Sequence, residues 1–266
     1  MRRRVAATQS SVLKLSPFFF LWYGVGVAGL DNRTEAELRS FAEQVSGALG
    51  PALVGVVLYG SAAGEDWIAG SSDLNTAIVV EHLNVAALDT LAPLVARWRR
   101  KGLALPLVVD REYLERARDT FPMEIEDIRR QHRVIAGADP FTGLEPDEAT
   151  LRRECEQEAY GKLLRLRALY LEHADSSKAL EQLMLDSLKS FLVLLRHLLR
   201  LRGAPAPNGY GGVLAGGEML LGPLPAMALL LSHRRGARIT RGARELAREY
   251  VAEAERIVAA VADLRA

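Results

Sequence analysis

Two short apolar runs, LVGVVLY at 53–59 and LNTAIVV at 74–80, constrain this chain more than any other feature. Each has the length and β-branched content of a strand. Each is also bounded by turn chemistry, with Gly50-Pro51 before the first, Gly60-Ser61 after it and AGSSD before the second. If both are strands, one loop presents backbone N–H groups near the point where another presents the Asp73 carboxylate.

The flanking pattern places these strands in a small α/β unit. In DNRTEAELRSFAEQVSGALGP, Thr34 and Glu37 fit a capping box, each side chain taking up a free N–H of the first turn. Leu38, Phe41, Ala42, Val45 and Leu49 then share one helical face. Asn84 is placed to cap a helix that carries Leu88, Leu91, Val95 and Trp98 and ends at RRKG. A strand is expected at 103–109, where Pro106 favours a sheet edge or a bulge. A helix at 111–118, extended backbone over FPMEIEDI and a boundary loop at GADPFTGLEPDE complete the unit.

From 148 onward the pattern is helical. EATLRRECEQEAYGKLLRLRALYLEH and SSKALEQLMLDSLKSFLVLLRHLLRLRG are long and amphipathic, with no interior proline; a short apolar helix is expected around 224–231 and a long one at 240–264. Four helices with apolar stripes imply a bundle. NGYGGVLAGGEMLLG, with six glycines, lacks the Lys-Ser/Thr ending of a P-loop and reads as a flexible inter-helix loop. The expected fold class is therefore α+β, with an α/β domain over 31–145 followed by a helical bundle domain over 146–266.

Charge excludes little but says something about partners. With 34 Lys and Arg against 33 Asp and Glu, no bulk charge advertises nucleic acid or an anionic membrane. The lone Cys155 forms no internal disulfide, which suits a reducing cytoplasm. Residues 1–30 form an extension, expected to be disordered or to begin at a mis-called start. Its MRRR and the apolar SPFFFLWYGVGVAG also outline a signal peptide over 1–28, although the apolar run is too short to span a membrane.

YGSAAGEDWIAGSSDLNTAIVV resembles the signature of the DNA polymerase beta-like nucleotidyltransferase superfamily: a strand, Gly-Ser, a spacer, then Asp-x-Asp or Asp-x-Glu opening the next strand. An α/β domain followed by a bundle is similar in layout to the aminoglycoside nucleotidyltransferases. The resemblance implies Mg²⁺-dependent transfer of a nucleotidyl group from an NTP to a hydroxyl acceptor. It assigns Gly60, Ser61 and Ser72 to the nucleotide phosphates, and Asp73 and Asn75 to the metal.

Asn75 is the departure, a neutral oxygen where the signature has a carboxylate. The third acid, which polarises the acceptor hydroxyl, is also absent from the 103–109 run. Asp110, Glu124 and Glu126 are the substitutes, each with a structural alternative: Asp110 is also placed to cap a helix, and the two glutamates to pair with Arg129 and Arg130. A catalytically degenerate member that binds nucleotide or a partner is the alternative reading. Arg167 and His173, at the spacing of HEPN ribonucleases, support a third, a nuclease or toxin–antitoxin component; solvated helix residues explain the same pair. His197 is expected at a bundle edge, and RWRRK at a helix C-terminus has a dipole explanation.

Overall fold

A computed structural model describes residues 30–64, 66–67 and 73–265. The extension expected over 1–30 and Ser72 thus fall outside the described residues, apart from Leu30. Four strands form one sheet in the order β3-β2-β1-β4: β1 (Leu53–Tyr59), β2 (Asn75–Val80), β3 (Leu107–Asp110) and β4 (His132–Gly137). β1 is antiparallel to both β2 and β4, while β2 and the edge strand β3 run parallel.

Alternation along the strands assigns their two faces. Val56, Ile78 and Val80 turn toward α1 (Asn32–Leu49) and α2 (Val85–Arg99), where Phe41, Val45, Leu91 and Trp98 complete a core layer. Trp98 stands edge-on to Phe41, and its indole N–H donates to Gln44 at 3.3 Å. Val57, Ala77 and Val79 face the opposite layer, built from α3 (Arg111–Thr120) and α4 (Pro122–Arg130).

The first helix begins earlier than the capping box implies. Its N-cap is Asp31, whose carboxylate accepts the Thr34 N–H at 2.7 Å, so Thr34 and Glu37 lie inside the helix. Asn84 caps α2 as expected, accepting from the Ala87 N–H. FPMEIEDI is the clearest difference. It is helical, because Pro122 supplies a pre-set φ at the first turn and Met123, Ile125 and Ile128 all find burial. β4, which the sequence pattern does not signal, follows directly and pairs with β1, where Gly55 and Gly137 let the backbones close in. A Cβ on Gly55 would sit 2.2 Å from the Ala138 carbonyl oxygen.

The helical region comprises α5 (Glu148–His173), α6 (Ser177–Leu201), α7 (Tyr210–Leu221), α8 (Pro225–Arg234) and α9 (Ala243–Ala262) around one leucine-rich core. The glycine-rich segment is α7 and not a flexible loop. Its glycines allow close contact with α6: a Cβ on Gly217 would meet Leu195 Cδ2 at 2.3 Å, and one on Gly216 would meet Leu199 Cδ1 at 2.9 Å. On α9 the buried Glu253 accepts the N–H groups of Ala226 (2.7 Å) and Met227 (2.8 Å) at the start of α8. No helix of the described residues is long and apolar enough to cross a membrane.

Two measurements test this packing. Gly217→Ala should destabilise by about 1–3 kcal/mol through overpacking, reversing the gain of up to about 1 kcal/mol that Gly→Ala normally gives inside a helix. Gly47→Ala in α1, where a Cβ meets nothing within 4 Å, is the control in the same urea titration. Burial raises the Glu253 carboxyl to about 7 against the pull of its two N–H donors, so the folded state favours the protonated form. The stability from that proton is fully present below about pH 4.5 and is lost as pH rises through about 7. Unfolding midpoints across this range should therefore fall more steeply with pH in the wild type than in Glu253→Gln.

Candidate functional site

The ends of β1 and β2 open into a cavity of about 370 Å³ between the sheet and the helical region. Its floor is Tyr59, Gly60, Ser61 and Asn75, and the register explains the grouping, since Tyr59 pairs directly with Asn75. Gly60 turns the chain with φ +74°, a conformation side chains oppose, and a Cβ there would lie 3.4 Å from the Asn75 side-chain nitrogen. A hollow of similar volume lies against α1 at Glu35, Arg39 and Glu43, where no second element walls it among the described residues.

Four helices wall the cavity, the fourth being α7 through Tyr210. α4 contributes Glu124 and Asp127, α5 contributes Glu154, Glu158 and Lys162, and α6 contributes Lys189 and Arg196. Glu154 accepts the Met123 N–H at 2.7 Å, yet burial, with the charges of Glu158 and Glu124, leaves its carboxyl above the usual range. Lys162 pairs with Glu158. Lys189, exposed on the wall, makes no ion pair among the described residues and so offers its charge to a ligand. Apart from Glu124, these wall residues do not stand out in sequence, because on amphipathic helices each reads as part of a solvated face.

Beneath the wall a single carboxylate joins the two halves of the chain. Asp127 of α4 meets Arg200 Nη1 at 2.7 Å, His197 Nε2 at 3.3 Å and Arg196 Nη1 at 3.4 Å, all from α6. Burial alone would raise its pKa. His197, Arg196 and Arg200 instead hold it far below the usual carboxylate range. Arg196 also donates to the Asn208 carbonyl at 2.7 Å and lies over the Tyr210 ring at 5.4 Å. The Tyr210 N–H, at the start of α7, donates in turn to Asp66. His197 is therefore an interior partner of Asp127 and not a bundle-edge residue.

The acids singled out in the sequence separate. Asn75 lies on the cavity floor, whereas Asp73 is exposed just before β2 and does not line the cavity. Asp110 pairs in register with Val80, five residues along β2 from Asn75, or about 16 Å at the rise of a strand. There it caps α3 through the Tyr113 N–H (2.8 Å) and accepts the Leu83 N–H (3.1 Å), and these bonds hold its pKa down. Glu126 is buried against Arg129 and Arg130, which lower its pKa despite the burial. Glu124 is the one of the three substitutes on the cavity wall.

On β3, Leu107 shares the sheet face of Ala77, and by alternation of Asn75. Among the described residues, no three His, Cys, Asp or Glu side chains group as metal ligands. Arg167 is engaged by Glu255 at 2.7 Å, Lys101 of RWRRK lies over Trp98, and burial pushes the Cys155 thiol up to about 12.

The four-stranded sheet, the Gly-Ser turn beside the head of β2 and the helical region that follows define a nucleotidyltransferase fold of α+β class. No protein-family model matches the chain, and no curated protein matches it in sequence. Among solved structures it is similar to spectinomycin adenyltransferase AAD(9) from Enterococcus faecialis, whose crystal structure contains ATP and spectinomycin. The TM-score is 0.52 at 15% identity, over 84% of this chain and 98% of that one.

Removing the half-buried anion tests the junction. Asp127→Ala leaves Arg196 and Arg200 without their shared carboxylate and should lower stability by about 3 kcal/mol or more, read from chemical denaturation.

Proposed function

We propose that this chain holds a nucleoside triphosphate in the cleft between sheet and helices, and that transfer of a nucleotidyl group to a hydroxyl acceptor has been weakened to binding alone. The Gly60-Ser61 turn offers N–H groups and a hydroxyl to phosphate oxygens, and Lys162 and Lys189 face the same space with positive charge. The ATP bound to the AAD(9) structure supports a nucleotide as the ligand. Such a ligand accords with the cytoplasmic location expected from a single unpaired cysteine.

The observation that carries the loss of transfer is the make-up of the acid positions. Mg²⁺ chemistry of this class needs clustered carboxylates, and the chain offers Asp73, a neutral Asn75 and, on the matching face of β3, Leu107. Replacing one carboxylate by an amide removes about 8 kcal/mol of gross attraction for a divalent ion at 4 Å and an effective dielectric of 20, before desolvation is credited back. These residues do not fit a two-metal centre, and no step is assigned to a metal.

A retained transferase is the second reading, favoured by Glu124. It lies on the wall beside Tyr59 and raises the Tyr59 pKa after burial has done so, a position from which a carboxylate could take the proton of an acceptor hydroxyl.

Calorimetric titration with each NTP, with Mg²⁺ or EDTA, combined with pyrophosphate release over a panel of metabolites, separates the readings. Saturable binding of at least one NTP without pyrophosphate release is the expected result. Turnover on the order of 1–10³ per second would overturn the loss of transfer, and its abolition by Glu124→Gln would assign the base. An absence of nucleotide binding would remove both readings. Asn75→Asp should tighten Mg²⁺-dependent binding about tenfold, less than the gross charge gain because desolvation offsets most of it. It should give no transfer, since Leu107 still stands on the third strand.

A further inference from the structure

The outer face of α5 carries an apolar stripe that no part of the described chain covers. Tyr160, Leu164 and Leu171 are 48%, 65% and 75% exposed. One exposed apolar residue needs no explanation, but three at helical spacing on one line form a patch of the kind that marks an interaction surface. The stripe continues through Arg153, Gln157 and Ala168 and reaches Asp175 just past the end of the helix, all of them exposed or nearly so.

Gly161 borders the stripe. A Cβ there would meet nothing within 4 Å, so packing inside the chain does not ask for glycine, although glycine in mid-helix costs about 1 kcal/mol relative to alanine. A close neighbour outside the chain would ask for it.

The stripe is symmetric about Leu164. Positions 153, 157, 160, 164, 168, 171 and 175 are separated by 4, 3, 4, 4, 3 and 4 residues, a sequence that reads the same from either end. On two antiparallel helices that meet at Leu164, that residue touches its own copy, Tyr160 opposes Ala168, and Gln157 opposes Leu171. Arg153 then opposes Asp175. The large ring faces a small residue, and the two ends carry opposite charge. Arg153 makes no ion pair among the described residues, and the Asp175 side chain is fully exposed, with Arg244 at 3.6 Å as its nearest cation. A two-fold interface must be complementary to itself, and this stripe is. A membrane surface would find an acidic residue at one end.

We infer that α5 is the interface of a homodimer, in which a second copy of this chain packs antiparallel on the stripe through Leu164. The nucleotide cleft is not part of this surface, since Glu154, Glu158 and Lys162 leave α5 on a different side.

Sedimentation equilibrium of the full chain across a concentration series tests the inference. The wild type should move to twice the monomer mass as concentration rises. Leu164→Glu should remain monomeric, because it sets two like charges in contact at the two-fold axis; as Leu164 is exposed, its circular dichroism melt should match the wild type. Arg153→Asp should weaken the dimer at least tenfold by opposing two acids at each end, and Arg153→Asp combined with Asp175→Arg should restore it. A wild type that stays monomeric would give the stripe to another occupant and overturn the inference. So would a dimer indifferent to Leu164→Glu, whose contact must lie elsewhere.

Discussion

The Asp127 carboxylate holds the two halves of this molecule in one arrangement. Three nitrogen-bearing side chains on consecutive turns of α6 converge on it, and no other anion is within ion-pairing distance of Arg196 or Arg200 among the described residues. Desolvating so many charged groups is expensive, and a tightly packed apolar junction would be as stable or more so. What the charged junction adds is direction. A hydrophobic face can slide, whereas a carboxylate shared by Arg200, His197 and Arg196 fixes the rotation of α4 against α6 to within a hydrogen bond. Arg196 carries the constraint onward to Asn208 and Tyr210, so the start of α7 is set by the same group. The helical walls of the cavity, drawn from α4, α5, α6 and that start, inherit their spacing from it.

The same junction explains what could and could not be read from the sequence. β1, β2 and the helix capped by Asn84 were legible because their signals are local: β-branched runs, a turn and a side chain three residues from the N–H it accepts. Asp127 was not. Its partners lie 69 to 73 residues away, and nothing near it in sequence distinguishes it from an ordinary solvated acid. The glycines of α7 were misread for a related reason. Gly216 and Gly217 look like loop residues until Leu195 and Leu199 are seen where their side chains would have been. α4 was misread because its period is ambiguous over nine residues; burial of Glu126 as an arginine partner, and not strand alternation, spaces its two glutamates.

Within the cleft, the residues of the signature carry unequal information. Gly60 is required by the backbone itself, since its φ of +74° opposes a side chain. It would be retained whether or not the site did chemistry. Asn75 and Leu107 are different, because a carboxylate at either position would serve charge alone: one faces an open cavity, the other a half-buried strand edge. Without a bound ion to neutralise them, two acids on one face repel each other and resist desolvation. An amide and a leucine relieve that cost. Under the binding-only role proposed above, acids at these positions would be a burden, while the Gly60 turn would remain fixed by its own geometry. A Gly-Ser turn beside an amide and a leucine is therefore the pattern expected of the binding-only role proposed above.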